Sequence, residues 1–189
     1  MGSAAEARRA WTYGDLVALA DDQLRHELID GVHVVSPSPS TAHQEISLNL
    51  VRVLLRYLDR HDLGRLLYAP FDVKLSLVTV LVPDLVYFTA ERFARVVNEK
   101  HATAAPDLVV EILSPEDRMV RMLPKIQEYL SIGTEWIWVI DPEECTVLVW
   151  RFADGASAPL ALGTADTLRW QPLASGLLLE ISVAELLRA

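Results

Sequence analysis

Apolar residues recur at helical spacing between about Ala42 and Asp59. Ile46, Leu50, Val53, Leu54 and Leu58 share one face, which predicts a long amphipathic helix, and Gly64 beyond it supplies a stop. Upstream, "WTYGDLVALA" predicts a short helix with Thr12 as N-cap and Asp15 in the capping-box position. "HELIDGVHVVS" follows as a hairpin, with Asp30-Gly31 able to adopt the positive φ angles of a tight turn. After the long helix the pattern becomes β-like: "RLLYA", "FDVKLSL" and "VLVPDLVYF" predict strands. A short helix near Ala90–Val97 and an irregular stretch precede "DLVVEIL", a strand by its β-branched content. "SPEDR" then predicts a helix start, capped by Ser114 with Pro115 in the first turn, and the helix reaches Ile132 with Gly133 as its stop. "EWIWVID" and "CTVLVWRF" are two further strands, and "SVAELLR" is a closing amphipathic turn. This order predicts an α/β or α+β chain built on a mixed β-sheet flanked by helices.

Composition narrows the class. The 189 residues are 51% hydrophobic, enough for one domain over 1–189 with a buried core and a disordered N-terminus at 1–10. No apolar run reaches the ~18–20 residues of a membrane helix, and "MGSAAEARRA" lacks a signal peptide's apolar stretch. Cys145 is the one cysteine, which excludes an intrachain disulfide or a thiolate cluster. A cytoplasmic protein with no membrane partner is the expectation. The net charge of -9 counts against nucleic-acid binding through the whole surface, though not through a local basic strip.

Two segments read "PDLV", at 83–86 and 106–109. In the first, Asp84 is expected within the strand "VLVPDLVYF", on a face with Val82 and Val86. In the second strand, Glu111 shares a face with Asp107, Val109 and Leu113, while Leu108, Val110 and Ile112 pack on the other side. A carboxylate among apolar strand residues is costly unless it is paired or binds a metal. Asp107 instead opens its strand, where a turn role is expected. Asp84 and Glu111 on neighbouring strands would suit a hard cation such as Mg²⁺, which takes oxygen ligands and keeps several waters.

"HELIDGVHVVSPSPSTAHQEI", "VPDLVYF", "PDLVVEILSPEDR", "KIQEYLSIGTEWIWVIDP" and "TVLVWR", in that order, resemble the Uma-type restriction endonucleases of the PD-(D/E)xK nuclease superfamily. The resemblance runs from about Trp11 to "ISVAELL". It implies a restriction-endonuclease-like core and Mg²⁺- or Mn²⁺-dependent cleavage of DNA phosphodiester bonds, with Asp84 and Glu111 as catalytic metal ligands. It further implies a role for Glu27 in "HELIDG" as a third acid and draws attention to His43, for which a structural role is the alternative. The chain departs from the superfamily pattern at the lysine, because the position two residues after Glu111 is Leu113. Lys125 is the expected substitute, on a helix face with Met122, Ile126 and Tyr129, and Lys74 is a weaker candidate. Pro124 before it is expected to kink that helix or delay its start.

Two basic stripes could track phosphates, Arg52/Arg56/Arg60 and Arg118/Arg121/Lys125, although such stripes are more often solvated faces. A competing expectation is a non-catalytic module that keeps the nuclease fold and acts as a homodimer, with Trp136 and Trp138 on one strand face as either core or subunit contact. A hydrolase of small phosphorylated molecules is a third.

Overall fold

Thr12 begins the first helix, α1 (Tyr13–Val17), through a complete capping box: its side chain accepts from the Asp15 N–H and the Asp15 carboxylate accepts from the Thr12 N–H at 2.8 Å. The computed structural model describes residues 9–188 apart from 20, 21, 23, 98, 115–118, 156, 157, 174 and 175. Strands β1 (Arg25–Ile29) and β2 (Val32–Ser36) form the expected hairpin, with φ of 49° at Asp30 and 75° at Gly31. Helix α2 (Thr41–His61) starts where the Ser40 side chain accepts the His43 N–H at 3.2 Å. Its inner face is the one its spacing predicts, except that Tyr57 is core and Val53 is half-buried.

The chain continues through β3 (Arg65–Tyr68), β4 (Asp72–Lys74), β5 (Val80–Leu81), β6 (Leu85–Phe88), α3 (Ala90–Phe93), β7 (His101–Ala102) and β8 (Leu108–Ile112). Then follow α4 (Met119–Ser131), β9 (Trp136–Asp141), β10 (Thr146–Arg151), β11 (Leu160–Leu162), β12 (Thr167–Trp170), β13 (Leu179–Ser182) and α5 (Val183–Leu186). The start expected for α4 falls on 115–118, outside the described residues, and α4 runs through Pro124 as one helix.

Two mixed sheets carry the architecture. One has the order β11-β10-β9-β8-β6-β3, antiparallel except for β8 and β9, which are parallel and joined by α4. The other has the order β2-β1-β5-β4-β7, and β12 pairs with β13 separately. Alternation along β8 splits the core. Leu108, Val110 and Ile112 join α2 residues such as Leu50 and Leu54 in one apolar cluster. Val109 and Leu113 join Met122, Ile126 and Tyr129 of α4 in the other. Glu111 is therefore on the α4 side of the sheet.

One expectation needs correction. Asp84 does not lie inside one strand: Val82, Pro83 and Asp84 separate β5, in the five-stranded sheet, from β6, in the six-stranded sheet. Proline has no N–H to give to a ladder, so the break falls there. Of the two roles open to the tryptophans, Trp138 takes the core: its side chain is fully buried, edge-on to Trp170, and half-buried Trp136 packs against the same cluster under the Arg151 guanidinium.

Candidate active site

Sheet register brings the two predicted carboxylates to neighbouring positions of the fold. Leu85 of β6 pairs with Val110 of β8, so continuing one step sets Asp84 against Glu111. The Asp84 side chain closes this junction, with Oδ2 accepting the Ile112 N–H at 2.7 Å. Its Oδ1 takes a 2.8 Å contact from Arg25 Nη1, and His43 Nε2 lies 3.2 Å from Oδ2. Glu111, one residue before Ile112, accepts from the Tyr129 hydroxyl at 2.8 Å and lies 3.4 Å from Lys125 Nζ. Lys125 lies 2.8 Å from Glu27 Oε1, which also accepts the Val82 N–H at 2.8 Å. Glu27 therefore ties β1 of one sheet to the segment that delivers Asp84 to the other.

The site is almost closed to water: Asp84, Glu111, Glu27, Lys125 and His43 are all buried. Burial pushes the Glu111 carboxyl up to about 7; Lys125 and Arg25 oppose this, while Glu27 and Asp84 add to it. At Asp84 burial also acts upward, but the His43 hydrogen bond, the Arg25 charge and the Ile112 N–H outweigh it and hold the group below the ordinary carboxylate range. Burial would neutralise Lys125, yet Glu111 and Glu27 raise it above its ordinary value and keep it an ammonium. Burial and the Glu111 charge hold the Tyr129 hydroxyl protonated, so it donates to Glu111.

This donor set suits a hard divalent cation. Two neighbouring carboxylates supply the anionic oxygens, and a metal at Glu111 would have to displace a proton that burial holds more tightly than usual. Among the described residues no group of three or more His, Cys, Asp or Glu side chains could hold a metal ion, so water and substrate oxygens would complete the shell, as Mg²⁺ commonly requires.

An open cleft of about 480 Å³ runs past Asp84, lined also by Arg25, His43, Gln44, Tyr68 and Ser114. Glu111, Glu27 and Lys125 are not part of its lining. His43 thus stands at the site, and its Nδ1 is buried with no hydrogen-bond partner among the described residues. Lys74 is elsewhere, with Nζ 4.5 Å from the centre of the Tyr13 ring. Asp107 has the turn role expected of it: it accepts the Thr89 N–H at 2.7 Å and contacts Arg92 at 3.4 Å. Arg52, Arg56 and Arg60 are exposed on α2. The second stripe does not hold as a surface, because Lys125 points inward, Arg121 is exposed and Arg118 lies outside the described residues.

Sequence reasoning missed Arg25 and the hydroxyl of Tyr129. Both carried a signal: Arg25 precedes Glu27 by two and so shares its strand face, and Tyr129 follows Lys125 by four on one helix face.

Comparison with known proteins identifies the fold and the family. The crystal structure of a putative nuclease from Anabaena variabilis superposes with a TM-score of 0.78 at 26% identity, covering 93% of this chain and 97% of that one. No curated protein matches. The Uma2 family, described as putative restriction endonucleases, matches residues 13–183, from the first helix to the last. The chain belongs to the Uma2 family of putative restriction endonucleases.

Proposed function

We propose that the chain is a divalent-metal-dependent nuclease that hydrolyses DNA phosphodiester bonds, with Asp84 and Glu111 holding Mg²⁺ or Mn²⁺. The observation that carries this reading is that Asp84, just before β6, accepts the N–H of Ile112, the residue after Glu111 on β8, with the Lys125 ammonium 3.4 Å from Glu111. When bound, the metal polarises a phosphoryl oxygen and lowers the pKa of a coordinated water. Lys125 takes over from helix α4 the task of the lysine missing at Leu113. Held as an ammonium, it steadies negative charge at phosphorus and orients water; it does not serve as a base. Glu27 is a positioning residue that fixes Lys125, and Tyr129 does the same for Glu111. Arg25 faces the cleft beside Asp84 and can turn its charge towards a phosphate.

The test is incubation with single-stranded, double-stranded and branched DNA in Mn²⁺, beside Glu111→Gln and Asp84→Asn. Cleavage by wild type that both variants lose is expected. Cleavage that persists in both would place the activity elsewhere.

One observation favours a second reading, a non-catalytic module that acts as a homodimeric interaction protein: each carboxylate is already met by a cation, Asp84 by Arg25 and Glu111 and Glu27 by Lys125. No cleavage of any DNA, together with a stable dimer in sedimentation, would support it.

A further inference from the structure

Beside Asp84 the cleft has an apolar wall where a duplex binder would be basic. Leu24, Pro37, Pro39, Tyr68, Ala69 and Pro70 contribute to its wall. Among the described residues its one Lys or Arg is Arg25, which is already paired with Asp84. Duplex DNA carries one negative charge per ~1.7 Å of axis and is held by clustered Lys and Arg. The α2 stripe begins nine residues beyond His43, about 13 Å further along the helix at ~1.5 Å per residue. The chain as a whole carries a net charge of -9.

Tyr68 is the feature with no structural explanation. It ends an edge strand and is 71% exposed, although an aromatic ring gains by burial. Its backbone is nevertheless fixed relative to the site: Tyr68 pairs with Leu85, the neighbour of Asp84, and the next N–H, of Ala69, donates to the Asp84 carbonyl at 3.0 Å. A flat ring is thereby held in register with the carboxylate that reaches the cleft. A base within a duplex already has both faces stacked and cannot use such a ring; an unpaired base can, whatever its identity. The cleft volume of about 480 Å³ lies in the range that takes a small organic ligand.

We propose that the substrate is single-stranded DNA, with one unpaired base stacked on Tyr68 and the adjoining phosphate at Asp84. This rests on the nuclease reading and adds the substrate class to it. Arg25 and the metal site supply the charge for one phosphate, and Tyr68 supplies the sequence-tolerant grip that a basic surface would otherwise give.

The experiment measures Mn²⁺-dependent cleavage and equilibrium binding, by fluorescence anisotropy, of one labelled 20-nucleotide strand alone, the same strand in a blunt duplex, and the strand with abasic positions along it. Wild type is compared with Tyr68→Ala and Tyr68→Trp. The ring is solvent-exposed, so all three are expected to melt together. Wild type is expected to prefer the single strand. Tyr68→Ala should weaken its binding roughly ten-fold, within the range for loss of one base stack. Tyr68→Trp should retain binding, and abasic positions should hurt wild type more than Tyr68→Ala. Equal action on duplex and single strand, or no effect of Tyr68→Ala, overturns the inference while leaving the nuclease reading intact. Tyr68-dependent binding of the single strand without cleavage sustains the inference and removes the nuclease reading. Absence of both binding and cleavage removes both.

Discussion

At Lys125 a helix supplies the ammonium that Leu113 cannot. Replacing it by Met leaves Glu27 and Glu111 buried without their cation, which is expected to cost about 3–5 kcal/mol of stability. Cleavage should fall by about 10²–10³ as well, the scale of losing one charge-stabilising donor. Urea unfolding and single-turnover cleavage of the same preparation check both; a variant as stable as wild type would mean the ion pairs are not formed. Glu111 makes a second expectation through its proton. Its folded pKa of about 7 lies above the ordinary value of 4.5. Between these values the folded chain keeps a proton the unfolded chain has lost, so this group's contribution makes stability fall as pH rises from about 4.5 to about 7, then level off. Urea midpoints at pH 5 to 8 in EDTA should show that slope in wild type and lose it in Glu111→Gln; identical profiles would contradict the assignment. Arg25 answers a different question, since it occupies Asp84 Oδ1 at 2.8 Å, where a metal would compete. Arg25→Gln is expected to bind Mn²⁺ more tightly by calorimetry while cutting DNA less well. Weaker Mn²⁺ binding would make Arg25 a support for the site, not a competitor.

At the scale of the element, the joint between α2 and β3 is the tightest described turn. Gly64 has φ of 125°, and a Cβ there would sit 2.2 Å from the Phe88 carbonyl oxygen. Gly64→Ala is therefore expected to lower the urea midpoint sharply, by several kcal/mol, because neither backbone can yield cheaply. A midpoint unchanged from wild type would mean that β3 and β6 do not approach as described. Elements of this kind were readable from local chemistry: the Thr12–Asp15 box, the Asp30-Gly31 turn and the inner face of α2 each depend on residues within one or two turns of chain. Glu111 and Lys125 were readable for the same reason, since strand alternation and helix spacing set their faces. Asp84 was placed within a strand because "VLVPDLVYF" is apolar throughout; its division between two sheets depends on partners that sequence spacing does not reveal. Arg25 was missed because its significance lies in a contact 59 positions away.

For the molecule as a whole, 26 acidic against 17 basic residues argue that DNA is held at few points. The affinity for a single strand is expected to fall with salt with a logarithmic slope of about -1 or -2, corresponding to one or two phosphates. Titration between 50 and 200 mM KCl, about the range over which such slopes are read, checks it; a slope near -6 would require a basic track that the described residues do not present. The reactive cluster draws Arg25 and Glu27 from one sheet, Glu111 from the other, Asp84 from the hinge of chain between them, and Lys125 from the crossover helix. No hairpin or helix cut from this protein could carry the chemistry alone. On the nuclease reading proposed above, synthesis must pass Lys125 before the last of these side chains exists, so any shorter nascent fragment would leave the nucleic acid around it uncut.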